Sequence, residues 1–347
     1  MVEVKMSEQA SFYVVVLNYN NWSDTIECLE SLFKSDDRNF HLVVLDNHST
    51  DNSVKYIRMW AEGALDVWVP PLHPLKELSF PPINKVVKIR EIGYDADSGI
   101  FQGDIKSTFS DTYEFSLITI NSNLGFAGGI NSALKFLQQC KREGFVWLLN
   151  PDTVVEKETI SALKKGLEGL EENKIIWGCV SYYYDNPQQV LFYGGAHIKP
   201  WAHGMRQLKG RASLKSLDYI AGSFLLLHTR SVEDLGMLPE DYFLYWEEAD
   251  YCTKAGEHGY ELKVIDTAHI YDKISRSIGT GFVREFYYTL SGLKFYRKYY
   301  PIRFPVIFLT VCLKMGKKAL LRDFVGVRAI FKAIKAYFGF FPDRLIP

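Results

Sequence analysis

Three carboxylates fall within four residues at Glu247, Glu248 and Asp250, inside the aromatic run Tyr245-Trp246-Glu247-Glu248-Ala249-Asp250-Tyr251. Burying an unpaired charge is costly, so acids set among large rings have either a partner or a task. A carboxylate in such a place has a perturbed pKa, which suits a general base. The same residues also suit the first turn of a solvated helix, where acids meet the positive end of the dipole. Further polar groups follow short apolar runs: Asn18 after residues 12–17, Asp46-Asn47 after 41–45, Asn150-Pro151-Asp152 after 145–149. Asp46 can accept from the imide N–H of a pyrimidine base, or the loop can simply cap the next helix. Asn150 and Asp152 offer hard oxygen donors that suit Mg2+ or Mn2+ on a diphosphate, or they cap a turn. His269, after the apolar run 262–265, either completes that metal site or is a structural histidine. The glycine-rich turn Asn123-Leu124-Gly125-Phe126-Ala127-Gly128-Gly129 lets backbone N–H groups come close to a phosphate or ribose. It lacks the GxGxxG spacing, and no GxxxxGK[ST] occurs, which counts against hydride-transfer and P-loop chemistry.

The elements that must position these groups alternate. Continuous apolar runs at 12–17, 41–45, 115–120 and 145–149 read as strands buried on both faces. Helical patterns follow at 22–33, 53–60, after the loop 121–129 through 139, and from about 156. This alternation predicts a doubly wound, mostly parallel sheet, with ligands beyond the carboxyl ends of its strands. Residues 61–114 break the rhythm with five prolines and four glycines, and read as an insertion with a small hairpin. Further strands are expected at 181–184, 190–193 and 219–227, and the chain from 281 onward reads as helical, aromatic and basic.

The chain has 347 residues, 47% hydrophobic, with a net charge of only −1. That charge is unevenly placed: residues 292–347 carry twelve Lys or Arg and two acids, leaving the first 291 residues at −11. A basic tail points to a polyanionic partner. Five scattered cysteines without a CxxC pair fit a reducing compartment and indicate neither a disulfide framework nor zinc. No run approaches the roughly 20 apolar residues of a membrane span. A cytoplasmic protein is expected, peripheral on the inner face of the cytoplasmic membrane. Cations in the tail alternate with Phe, Leu, Ile and Tyr at helical spacing, as in a helix lying on anionic lipid. Alternatively, that aromatic stripe packs on the rest of the chain. No nucleic-acid-binding module is recognisable.

Five motifs stand in order: Leu17-Asn18-Tyr19-Asn20, Val44-Leu45-Asp46-Asn47-His48-Ser49-Thr50-Asp51, the glycine-rich turn at 123–129, Leu149-Asn150-Pro151-Asp152, and Trp246 to Tyr251. Spread over residues 11–275, they resemble the signature of family 2 glycosyltransferases, above all bacterial rhamnosyltransferases and galactofuranosyltransferases. The resemblance implies an α/β GT-A fold of the nucleotide-diphospho-sugar transferase type, with a Rossmann-like sheet. The catalytic domain would cover 1–280, with its insertion at about 61–114, and an amphipathic helical region would cover 281–347. Also implied is inverting transfer of a sugar to a lipid-linked or glycan acceptor in bacterial surface-polysaccharide assembly. dTDP-rhamnose fits best as donor; UDP-linked galactofuranose, galactose, glucose or GlcNAc are the alternatives, and a polyprenyl-diphosphate-linked sugar is the expected acceptor type.

Residue by residue, the resemblance places Asn18, Asp46, Asn47, Asn123, Gly125 and Asn150 on the nucleotide sugar. It gives Asp152 a divalent cation (Mg2+ or Mn2+), with His269 assisting. Glu248 takes the position of the catalytic base, with Glu247 beside it. Asn150 stands where many relatives carry Asp, and the base is Glu rather than the commoner Asp. The absence of QxxRW favours addition of one or a few sugars over polymerisation. A sugar nucleotidyltransferase is less well matched, since residues 18–21 lack its glycine-rich basic loop. A non-catalytic glycan-binding protein would not need Asp152, Glu248 and His269.

Overall fold

The computed structural model describes residues 11–105, 114–170, 174–274 and 281–345. It begins with β1 (Ser11–Asn18), α1 (Trp22–Phe33), β2 (His41–Asp46) and α2 (Ser53–Ala61). The hairpin β3 (Ile89–Asp95) and β4 (Ile100–Gly103) precedes β5 (Phe115–Ile120), α3 (Gly125–Gln139) and β6 (Gly144–Leu149). Next come β7 (Thr153–Val155), α4 (Thr159–Leu167), β8 (Ile175–Tyr183), β9 (Asn186–Tyr193), β10 (Gly195–Ile198) and β11 (Met205–Gln207). β12 (Tyr219–Ile220), β13 (Leu226–His228), α5 (Thr229–Leu235), α6 (Glu247–Glu257) and β14 (Glu261–Asp272) follow. Three helices close the chain: α7 (Phe282–Tyr299), α8 (Phe304–Leu320) and α9 (Phe324–Tyr337).

The strands join in one sheet in the order β11-β10-β9-β8-β13-β6-β1-β2-β5-β3-β4. Its centre, β6-β1-β2-β5-β3, is parallel throughout. β1 is buried along residues 12–17, as a strand covered on both faces must be. The register sets Asn18 directly opposite Asp46 and Val16 opposite Leu149. The polar ends of three neighbouring strands therefore open at one edge, where chain order reverses on either side of β1.

Several elements differ from the sequence expectation. The hairpin expected in the insertion forms at residues 89–103, but its first strand, β3, also extends the main sheet by pairing parallel to β5. The expected strand at 219–227 is divided by a 3-10 turn at Gly222–Phe224. That break turns the Ser223 carbonyl toward the Asn150 N–H. The helix expected from about 156 starts at Thr159, because residues 153–155 pair with β14.

α7 is not a detachable tail. Phe295 and Tyr296 are wholly buried in the same core as the sheet, and the Tyr296 hydroxyl meets the carbonyls of Lys199, Ala202 and Gly204. α9 packs along α7, burying Ala329, Ala333 and Ala336 against Phe286, Tyr287 and Leu290. Part of the tail's positive charge is matched locally, with Lys314 and Lys318 on Glu285 and Lys318 also on Asp323. The truncation Phe295→Ala should cost about 3–5 kcal/mol. A urea titration followed by circular dichroism checks this: an unchanged midpoint would show that α7 is dispensable to the core.

Candidate active site

The donor-side loops are braced from within. Asn18 donates to Asp46 Oδ1 at 2.8 Å and Ser49 Oγ at 3.1 Å, and its own Oδ1 accepts from Thr25 at 2.8 Å. Asp46 Oδ2 accepts from the Ser49 N–H. Each Asp46 oxygen keeps a further lone pair, so this carboxylate can still accept from a ligand. Asn47 has less to offer. Its amide donates to Asn123 Oδ1 and the Gly125 carbonyl and accepts from the Leu124 N–H, all at 3.0 Å. The structure thus places Asn18 and Asn47 as struts joining β1, β2 and the glycine-rich turn.

The glycines of that turn serve close packing. Gly125 has φ +73°, and a Cβ there would lie 2.4 Å from the Phe243 carbonyl oxygen. A Cβ on Gly129 would lie 2.7 Å from Leu17. The N–H groups of Gly125 and Phe126 are taken by Asn123 Oδ1 and the Phe243 carbonyl. The close approach expected toward a phosphate is made instead to the segment preceding α6.

That segment is the most strained backbone in the cleft. Tyr245 and Trp246 have φ of +65° and +75°, a region that bulky residues rarely occupy. Such positions cost on the order of 1–3 kcal/mol each and persist where the surroundings hold them. Here Trp246 is fully buried against Phe295, Tyr296 and Tyr288, with its indole N–H on the Tyr288 carbonyl at 3.0 Å. Ser291 of α7 also donates to the Leu244 carbonyl at 2.8 Å.

The turn aims two carboxylates into a cleft of about 430 Å3 lined by Asn150, Gly222, Ser223, Tyr245, Glu247, Glu248, Asp272, Arg284 and Tyr288, among others. Glu248 accepts from the Gly222 N–H, while its Oε2 is buried with no protein partner. Burial pushes its carboxyl up to about 7. Glu247, also with an unpartnered Oε2, is raised well above its ordinary value by burial and then by the charge of Glu248. Environments that push two carboxyl groups apart separate an acid from a base. Asp250 turns the other way, onto Lys298 at 2.7 Å and the hydroxyls of Tyr242 and Tyr299.

Asp272, which the sequence reading missed, stands at the end of β14 opposite Thr153. Burial and then the nearby Asp152 charge push its carboxyl up to about 8. Two buried carboxylates that repel each other offer hard oxygen donors of the kind a divalent cation takes, but among the described residues no group of three or more His, Cys, Asp or Glu is gathered to hold one. His269 does not join them. It pairs with Glu156 at 2.8 Å, its other ring nitrogen lies 3.0 Å from the Asp266 carbonyl, and its ring stands edge-on to Tyr182. Three residues of strand, roughly 10 Å, separate it from Asp272. The reason is register: pairing Asp272 with Thr153 carries His269 past Asp152. An acid ending a strand, in Tyr271-Asp272-Lys273, was the signal available. The next residue, Lys273, is clamped between Asp24 and Glu27 of α1 at 2.6 Å each, and its N–H donates to the Asp152 carbonyl.

Residues 13–69, which span β1 to α2 and include Asn18 and Asp46, match the family model "Glycosyl transferase family 2". A low-salt glycan biosynthesis hexosyltransferase of Haloferax volcanii is 27% identical over 167 residues, 44% of this chain and 50% of that protein. The N-acetylglucosaminyl-diphospho-decaprenol L-rhamnosyltransferase of Mycobacterium tuberculosis is 22% identical over 205 residues, 53% of this chain and 67% of the relative. Among solved structures, a mannosyltransferase from Pyrobaculum calidifontis in complex with GDP-Man and Mn2+ shares the fold. Its TM-score is 0.52 at 16% identity, covering 97% of this chain and 89% of that one. The match at residues 13–69 and the shared fold support a family 2 glycosyltransferase of GT-A fold. Its match spans half the length of the Haloferax protein.

The acidic pair generates a pH prediction. A carboxyl whose folded pKa exceeds its ordinary 4.5 favours the protonated fold. The penalty for ionising it is absent below pH 4.5 and grows as pH rises toward the folded value. Glu247→Gln, which mimics the protonated group, should therefore raise Tm at pH 8 and leave it unchanged near pH 4. Equal shifts at both pH values would contradict the raised pKa.

Proposed function

We propose that this chain is an inverting glycosyltransferase in which Glu248 is the general base. The observation that carries this is the unpartnered Glu248 Oε2, facing a cleft that also holds Asn150 and Asp272. A carboxyl near 7 is ionised in time to take a proton from an acceptor hydroxyl as that oxygen attacks the anomeric carbon. Glu247, whose carboxyl is raised well above its ordinary value by burial and by the charge of Glu248, lines the same cleft beside the base. Asp152 and Asp272 are the residues to hold a divalent cation, Mg2+ or Mn2+, which when bound neutralises charge on a leaving diphosphate. Asp46 accepts from the base of the donor nucleotide, with Asn18, Asn47, Asn123 and Gly125 fixing the loops around it.

For the donor we favour dTDP-rhamnose, with UDP-sugars second. The rhamnosyltransferase relative supports this choice, and its name also supports an acceptor carried on a lipid diphosphate. Placement on a membrane surface is part of the same proposal. Among the described residues no helix is long and apolar enough to cross a membrane. Val306, Leu309, Leu313 and Leu320 nevertheless form an exposed apolar stripe along α8, with Ile302 exposed in the turn before it. The outward side of α9 interleaves Phe324, Phe331 and Phe338 with Arg328 and Lys335. Such a surface can lie among anionic headgroups with its apolar side chains in the acyl boundary.

Thermal shift with a panel of nucleotide sugars and Mn2+ should pick out one donor, and transfer is then measured to alkyl-diphosphate-linked N-acetylglucosamine. Under these conditions Glu248→Gln should lose about 100- to 10,000-fold in kcat; near-wild-type turnover would remove Glu248 from the chemistry. On the membrane side, Leu309→Glu with Leu313→Glu should abolish sedimentation with phosphatidylglycerol vesicles while Tm stays within a few degrees. Undiminished sedimentation would reject this face as the contact.

A further inference from the structure

The cleft has three acids along its walls, Glu247, Glu248 and Asp272, and one cation among the described residues that line it, Arg284. Arg284 sits in the first turn of α7 with its side chain exposed at the solvent edge. It forms no ion pair with any carboxylate among the described residues, although acids share its cleft. Four other cations on the C-terminal helices are ion-paired: Lys294 with Asp343, Lys298 with Asp250, Lys314 and Lys318 with Glu285. Its electrostatic neighbours are the hydroxyl-bearing rings of Tyr245 and Tyr288. The Tyr245 hydroxyl is itself buried with no hydrogen-bond partner. A guanidinium without a counter-ion and an orphaned phenol thus face the same space.

Both groups donate hydrogen bonds at neutral pH, since burial also pushes the Tyr245 phenol up to about 12. The planar guanidinium fork matches the oxygens of a phosphate, and charge-assisted bonds to such an anion are the strong ones. A neutral sugar hydroxyl would leave the charge uncompensated. We propose that Arg284 and Tyr245 form a phosphate-recognition site on the α7 side of the cleft. This rests on the glycosyltransferase reading given above and adds to it the chemistry that α7 recognises. The phosphate belongs either to the acceptor or to the donor diphosphate, and the two sources are separable by experiment.

The full chain and its Arg284→Ala, Arg284→Lys and Tyr245→Phe variants are titrated by calorimetry with two ligand pairs in Mn2+. The donor pair is the nucleoside diphosphate selected by the thermal-shift panel and its parent nucleoside. The acceptor pair is alkyl-diphosphate-linked N-acetylglucosamine and the alkyl glycoside without phosphate. Arg284→Ala should weaken one phosphate-bearing ligand about 10- to 100-fold and leave its phosphate-free partner unchanged. Arg284→Lys should recover part of that loss, and Tyr245→Phe should reproduce a smaller one. Selective loss of the acceptor probe assigns the site to the acceptor; selective loss of the nucleoside diphosphate assigns it to the donor. The proposal is overturned if neither phosphate-bearing ligand weakens, or if each weakens in step with its phosphate-free partner. Binding is read directly, so a wild-type chain that binds these ligands without transferring sugar would undo the proposed reaction and not this site.

Discussion

The packing of Trp246 against α7 is the contact on which the rest of the site depends. Two successive left-handed residues form a turn that would relax if left to itself. The indole, held by Tyr288, Phe295 and Tyr296, prevents that relaxation. On its other side the same segment presents the Phe243 carbonyl to the glycine-rich turn, which Asn47 ties to the end of β2. One short stretch thus transmits position from the C-terminal helices to the donor loops. The carboxylates at the start of α6 lie at its centre.

Opposing charges are handled differently on the two sides of the cleft. Lys273 is neutralised by Asp24 and Glu27, and its clamp holds the end of β14 against α1. Broken pairs of this kind are destabilising because one charge is left buried. Glu247, Glu248 and Asp272 lack that compensation, so burial keeps their pKa values high, helped by the Glu248 charge at Glu247 and by the Asp152 charge at Asp272. The fold satisfies charge where it needs rigidity and leaves it unsatisfied where a ligand must enter.

Much of the sheet was legible from residues 12–17, 41–45, 115–120 and 145–149, because strands buried on both faces leave continuous apolar runs. The acidic segment was legible as a place where chemistry could occur, since charges among aromatics need a reason. Long-range register was not legible. Nothing local shows that Asp272 rather than His269 reaches Asp152, because that follows from how β14 pairs with β7. Nor could spacing show that Asn47 is fully engaged by a loop 76 residues away, or that Gly125 accommodates Phe243. Composition alone also left α7 undivided from α8 and α9. Its burial in the main core separates an integral helix from two helices that expose apolar side chains.

The strut at Asn47 has a consequence for how such a site can diversify. By joining β2 to the glycine-rich turn without help from α7, it makes that corner of the sheet edge a self-supporting module. The wall contributed by α7 is assembled from a distant part of the chain and meets that module chiefly through the turn at 243–246. Substitutions on α7 away from its contacts with Leu244 and Trp246 can therefore accumulate without disturbing the loops at the ends of β1 and β2. Inheritance can conserve one half while the other is retuned, as expected of a scaffold whose relatives share a fold at low sequence identity.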